Sequence, residues 1–188
     1  MRSARLVLWL TGVPCAGKST VAALAAEGLT ERGVPVRVLD GDVLRRSASA
    51  DLDFSPAARV EQARRTALIA EESLAAGELP IVAIISPSRE ARAAAREILG
   101  DALAEIHVDA PLEVCEARDV KGMYARARRG ELSDFTGVSA PYEPPDNPAL
   151  RLDTARETAQ ESARRVVEHA LARLGDAVAE AEREGSLK

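Results

Sequence analysis

Gly12-Val13-Pro14-Cys15-Ala16-Gly17-Lys18-Ser19, followed by Thr20, fits G-x-x-x-x-G-K-[ST], the loop that wraps phosphate groups. Its flanks fit too. Leu6–Leu10 is an apolar run that predicts a buried strand, and Thr20-Val-Ala-Ala-Leu-Ala-Ala opens a helix. The chemistry depends on this order. Backbone N–H groups of the loop point inward at phosphate oxygens, and the N-terminus of the following helix adds a favourable dipole. Lys18 supplies a point charge for the β- and γ-phosphates, and the Ser19 hydroxyl can ligate Mg²⁺. Residues 12–20 are therefore expected to bind a nucleoside triphosphate.

Outside the loop, short apolar runs alternate with helical patterns. Strands are expected over Leu6–Leu10, Val36–Asp40, Ile81–Ile85, Ile106–Asp109 and Ala149–Leu152. Helices are expected over Lys18–Arg32, Pro56–Ala76, Glu90–Leu99 (closed by Gly100) and Thr154–Leu174. This rhythm predicts an α/β fold, a three-layer sandwich of the P-loop NTPase type with a mainly parallel sheet and helices on both faces. Residues 1–175 form the single expected domain, and 176–188 a charged tail, either a solvated helix extension or a frayed end. In such sheets ligands gather beyond the carboxyl ends of the strands.

The 188 residues carry 25 Lys+Arg against 30 Asp+Glu, a net charge of −5. That balance argues against general nucleic-acid binding and against attraction to a membrane. Cys15 and Cys115 are too few for a disulfide framework and suit a reducing, cytoplasmic setting. No signal peptide and no membrane span are expected.

Three further segments hold candidate chemistry. Asp40-Gly-Asp42-Val-Leu-Arg45 follows the second strand and so reaches the ligand edge. Asp42 suits a carboxylate beside an acceptor hydroxyl or a metal ion, and Arg45 suits an acceptor's anionic group, while one of the aspartates can serve as a helix cap. In Phe54-Ser-Pro-Ala-Ala-Arg59-Val-Glu-Gln62, Ser55-Pro56 reads as a helix start, with Arg59 and Gln62 on one face. Ile85-Ser86-Pro87 ends the third strand, where Ser86 can contact substrate or cap the next helix. Finally, about Arg118–Pro148 lacks core periodicity and holds Lys121, Phe135 and several basic residues. A lid over bound nucleotides is the functional reading of such a stretch.

Taken together in order, these motifs resemble the adenylylsulfate kinase (APS kinase) family. The matching pieces are Trp9-Leu-Thr-Gly12 with the loop, Leu39-Asp-Gly-Asp-Val-Leu-Arg45, Phe54-Ser with Arg59, Ile85-Ser-Pro-Ser-Arg89, Arg118-Asp-Val-Lys121-Gly, Phe135-Thr-Gly-Val-Ser-Ala-Pro-Tyr-Glu143 and Leu152-Asp-Thr154. The resemblance implies phosphorylation of the 3′-hydroxyl of adenosine 5′-phosphosulfate (APS) to give PAPS and ADP. It implies catalytic roles for Asp42, Lys18 and Ser86, the last as the serine described in the family as a phosphoserine intermediate, for which a binding role is favoured here. It implies Arg45 and Arg59 on the phosphosulfate, Phe54 and Phe135 around the adenine, Gln62, Ile85 and Ser86 against the acceptor, and Lys121 near the phosphates. Mg²⁺ would be held by Ser19 and by Asp42, directly or through water. A homodimer and a separate ATP sulfurylase partner are further expectations. The chain departs from the family at Val13-Pro14-Cys15, where Leu-Ser-Gly is usual; at Ala58-Arg59-Val60-Glu61-Gln62, where Asp-Arg-x-Glu-Asn is usual; and at Val120, in place of proline. The 58–62 change motivates an alternative, a related P-loop kinase for another nucleotide or a specialised-metabolite hydroxyl. A non-catalytic nucleotide-responsive module is the third reading, and retention of Lys18, Ser19 and Asp42 stands against it.

Overall fold

In a computed structural model, which describes residues 5–185, five parallel strands form one sheet in the order β2-β3-β1-β4-β5. The strands are β1 (Val7–Thr11), β2 (Val36–Asp40), β3 (Leu79–Ala83), β4 (Leu103–Asp109) and β5 (Leu150–Asp153). The helices are α1 (Lys18–Thr30), α2 (Gly41–Leu44), α3 (Pro56–Ala75), α4 (Arg89–Leu99), α5 (Leu112–Arg118), α6 (Met123–Arg128) and α7 (Ala159–Gly185), with a single 3-10 turn at Gly100–Ala102.

β1 is wholly buried, which is why its sequence is apolar without polar alternation. Its side chains still divide by parity. Leu8 and Leu10 join α1 and α7 in one core, with Val21, Ala25, Leu29, Val166 and Ala170. Val7 and Trp9 join α3 and α4 in the other, with Ala63, Ala67, Ala70, Ala91 and Ala95. The alanines let these two helices lie close to the sheet, and the Trp9 indole fills the remaining space. Since β1 is central in the sheet, the loop that leaves it is held by packing on both faces.

Several boundaries differ from the sequence expectation. β3 and β4 begin earlier than expected, at Leu79 and Leu103. α7 begins at Ala159 rather than Thr154, because Thr158 and Glu161 form a reciprocal capping box there: Thr158 N–H donates to the Glu161 carboxylate at 2.8 Å, and Glu161 N–H donates to Thr158 Oγ1 at 3.2 Å. Helix α7 continues along the backbone to Gly185, so the expected tail is helical that far; 186–188 lie outside the described residues. The stretch 118–148 is not without structure. It contains α6, whose Tyr124 and Ala127 are buried, and Tyr124, Phe135, Val138 and Leu112 pack onto the α1/α7 side of the core.

Candidate active site

The loop after β1 turns where only glycine fits. A Cβ on Gly12 would lie 2.3 Å from the Val108 carbonyl oxygen at the end of β4. Residues 12–17 then curl around Lys18, whose ammonium donates to the carbonyls of Gly12 and Val13, both at 2.8 Å. Lys18 is only 8% exposed, and burial pulls its pKa down to about 8. Cys15 adopts φ 60°, in the left-handed region, and Ala16 N–H closes the turn onto Val13 O at 3.3 Å. Ser19 and Thr20 open α1 and are exposed.

The outer side of the loop is braced from two directions. Thr154 Oγ1 donates to Ala16 O at 2.7 Å. Arg118 Nη1 donates to the carbonyls of Cys15 and Ala16, at 3.3 and 3.5 Å, and its Nη2 donates to Thr154 O. Arg118 therefore belongs to the donor loop rather than to a freely closing lid. The Tyr124 hydroxyl adds a third brace, donating to Pro14 O at 2.9 Å.

Of the two aspartates after β2, Asp40 is the cap. Its Oδ1 accepts from Asp42 N–H at 2.8 Å, starting α2, and its Oδ2 accepts from the Ser19 hydroxyl at 2.6 Å. The carboxylate joined to Ser19 is thus Asp40. The Asp42 carboxylate is exposed and forms an ion pair with Lys121, bringing together two predicted site residues separated by the whole acceptor helix. Both partners are more than half exposed, so this pair is easily exchanged. Ser19, Asp40 and Asp42 present hard oxygen donors beside the phosphate loop, a donor set that fits Mg²⁺.

Arg45, Phe54 and Arg59 come together. The Phe54 ring is 56% exposed, with the Arg45 guanidinium 4.5 Å and the Arg59 guanidinium 6.0 Å from its centroid. Arg45 Nη1 also donates to Leu52 O at 3.1 Å. Arg59 is nearly buried; its Nε donates to Phe54 O at 3.0 Å and its Nη2 to Asp134 O, the residue before Phe135. One guanidinium therefore ties both aromatic segments together. Burial is the largest influence on both arginine pKa values and lowers them. With Ala58 in place of a carboxylate, these two carbonyls orient Arg59. Gln62 is buried on the same helix face. Phe135 is half-buried and meets Tyr124 edge-on, with centroids 5.0 Å apart.

Ser86 sits in the left-handed region at φ 36°, in the turn after β3. Such strain persists only where neighbours impose it. The Trp9 indole donates to Ser86 Oγ at 3.1 Å, Arg92 Nη1 donates to Ser86 O at 3.0 Å, and Thr11 Oγ1 donates to Ile85 O at 2.7 Å. Tyr142, stacked on His107, shares a 3.0 Å hydrogen bond with Thr11 Oγ1, and burial pushes its phenol up to about 12. Arg92 is held in turn by a buried ion pair to Glu105 at 2.6 Å. Ser86 itself is 4% exposed, and no basic group accepts its hydroxyl proton among the described residues.

All three non-glycine residues with positive φ among those described, Cys15, Ser86 and Asp134, lie in this site. Asp40, Arg118 and Thr154 were not assigned site roles from sequence. Asp40 carried a signal, since it ends a strand before a short helix; the Arg118–Thr154 brace joins residues too far apart in sequence to be read there.

The family model described as Adenylylsulphate kinase matches residues 4–153. An adenylyl-sulfate kinase of Halothermothrix orenii is 48% identical over 164 residues, covering 87% of this chain and 88% of that protein. One of Paraburkholderia xenovorans is 49% identical over 163 residues, covering 87% and 91%. Among solved structures, the Mycobacterium tuberculosis APS kinase CysC in complex with AMPPNP and APS aligns with a TM-score of 0.85 at 43% identity, covering 88% of this chain and 96% of that one.

Proposed function

This chain belongs to the adenylylsulphate kinase family, and we propose that it transfers the γ-phosphoryl group of ATP to the 3′-hydroxyl of APS, giving PAPS and ADP. The observation that carries this reading is the meeting of three things at one sheet edge: a phosphate loop around buried Lys18, an exposed carboxylate at Asp42, and an exposed aromatic, Phe54, flanked by two arginines. The first suits a triphosphate donor, the second an acceptor hydroxyl, and the third a nucleobase beside anionic groups.

Residues 12–20 cradle the ATP phosphates, and Lys18 exchanges the Gly12 and Val13 carbonyls for phosphate oxygens. Mg²⁺, held by Ser19 with Asp40 and Asp42 directly or through water, would neutralise charge on the β- and γ-phosphates. Phe54 and Phe135 sandwich the APS adenine; Arg45 and Arg59 face its phosphosulfate; Gln62 and Ile85 line the acceptor. Asp42 accepts a hydrogen bond from the 3′-hydroxyl and aligns its oxygen for in-line attack. The bond from that oxygen to the γ-phosphorus forms as the bond to the bridging oxygen breaks, ADP departs with the electron pair, and the hydroxyl proton passes to the Asp42 carboxylate and from there to water. Lys121 leaves Asp42 for the phosphates as they arrive. Ser86 binds acceptor: its buried hydroxyl, already accepting from Trp9, has one proton left to donate and no base to make it a nucleophile. Residues 1–175 act as one kinase unit with 118–148 as its cover, a homodimer suits the family resemblance, a separate ATP sulfurylase would supply APS, and a cytoplasmic setting suits two unpaired cysteines. No helix among the described residues is long and apolar enough to cross a membrane.

The test is ADP release from ATP and Mg²⁺ with APS, with other nucleotides and with simple alcohols. Strong stimulation by APS alone is expected. Stimulation by another acceptor and none by APS would replace this reading with that of a kinase for the other acceptor.

A further inference from the structure

Tyr124 stands between the two nucleotide sites. It is 1% exposed and among the largest fully buried side chains of the chain. Its position is fixed from below by Asp119, whose carboxylate accepts from the N–H groups of Tyr124 and Ala125 at 2.9 and 3.0 Å and so starts α6. From there the ring reaches in two directions. Its hydroxyl donates to Pro14 O in the phosphate loop at 2.9 Å, and its ring meets Phe135 at 5.0 Å with an interplanar angle of 81°. The space around it is full. Gly137 has φ 93°, and a Cβ there would lie 3.0 Å from Leu112 Cδ1 and 3.8 Å from the Tyr124 hydroxyl. Burial raises the phenol pKa, so the hydroxyl stays protonated and remains a donor.

The consequence is mechanical. Pro14 is in the loop whose Gly12 and Val13 carbonyls give up Lys18 when phosphate binds. Phe135 is in the segment whose preceding carbonyl, Asp134 O, is held by Arg59 of the acceptor helix. Tyr124 joins these two segments directly: one side chain, hydrogen-bonded at its tip to the donor loop and in T-shaped contact with the Phe135 ring. We infer that Tyr124 is a positioning residue that couples occupancy of the ATP loop to the placement of Phe135, so that nucleotide bound at one site strengthens binding at the other. Because Tyr124 is bonded to one segment and packed on the other, a shift of either changes the contacts of the other, and the effect is reciprocal. This inference rests on the proposed function, because it takes the Phe54/Phe135 face as the acceptor site.

The experiment is Tyr124→Phe, which keeps the ring against Phe135 and deletes the donor to Pro14. The dissociation constant of APS is measured with and without saturating AMPPNP, for wild type and variant, alongside thermal unfolding and turnover. In the wild type, AMPPNP should tighten APS binding about 5-fold or more, within the usual range of such couplings. In Tyr124→Phe that factor should fall to about one, while APS affinity without AMPPNP changes less than about twofold. A purely structural role would lower the melting temperature and leave the coupling factor intact. Full coupling in the variant, or no coupling in the wild type, would overturn the inference and leave the proposed function standing. That function fails separately, if wild-type protein turns over ATP with another acceptor and not with APS.

Discussion

The donor and acceptor sides of this site are built by opposite means. The donor loop leaves a strand buried on both faces, passes a glycine with no room for a side chain, and is braced by Thr154, Arg118 and Tyr124. Its key group, Lys18, is buried and bonded inward. The acceptor side is open: Phe54 is 56% exposed, Asp42 and Lys121 meet in solvent, and Arg45 and Arg59 are tethered to loop carbonyls. A triphosphate offers many oxygens to a rigid cradle whose N–H groups are fixed in advance. A second nucleotide must enter, stack and be covered, which calls for groups that can change partners at little cost. The difference predicts that damage to the acceptor side changes turnover and acceptor affinity, while damage to the donor side reaches ATP binding.

Asp42→Asn should make the largest break. Turnover falls about 10²- to 10⁴-fold, the usual range for losing a group that handles the reacting proton, while ATP affinity is largely kept. Equal loss of ATP binding, measured by calorimetry, would show that Asp42 serves the donor side. Phe54→Ala comes next. Losing one stacking face costs about 1–3 kcal/mol, so the KM for APS should rise roughly 5- to 150-fold with the KM for ATP little changed; a matching rise for ATP would erase the division.

The smallest effect is one of pH, and it falls on the donor side. In the free protein Lys18 has a pKa of about 8, lowered by burial from 10.5. Phosphate raises it again, so above pH 8 nucleotide binding must take up a proton. Affinity for ATP should fall by up to about tenfold per pH unit above 8 and be flat in Lys18 charge below it. Calorimetry at pH 9 in buffers of different ionisation enthalpy should show proton uptake that is absent at pH 7. The same depression makes the folded state gain stability from Lys18 as pH rises from 8 toward 10.5, since the unfolded chain keeps the proton that the fold gives up.

The same contrast governs what could be read in the sequence. Gly12–Ser19 is a local motif between a buried strand and a helix, and its neighbours in space are largely its neighbours in the chain. β2 at Val36–Asp40 and the start of α3 at Pro56 were legible for the same reason: alternating valines with Leu39, and a Ser-Pro cap. Helices α5 and α6 were not. One or two turns do not develop a 3.6-residue period, and α6 is held by Asp119 and by burial of Tyr124 against distant residues. The start of α7 was written in the Thr158–Glu161 box, although the apolar pattern alone had pointed earlier. On the acceptor side, Asp40 and Asp42 differ by two residues in sequence and by everything in contact, one on Ser19 and the other on Lys121. The fold shows which of them is the cap.

The most direct measurement is the fate of the γ-phosphoryl group. With γ-labelled ATP, Mg²⁺ and APS, the label should appear on the ribose 3′-oxygen of the product, identified by phosphorus NMR coupling to the 3′-hydrogen, with none retained on Ser86. Label found on Ser86 as a competent intermediate, or on an acceptor other than APS in preference to it, would contradict direct transfer between these two sites.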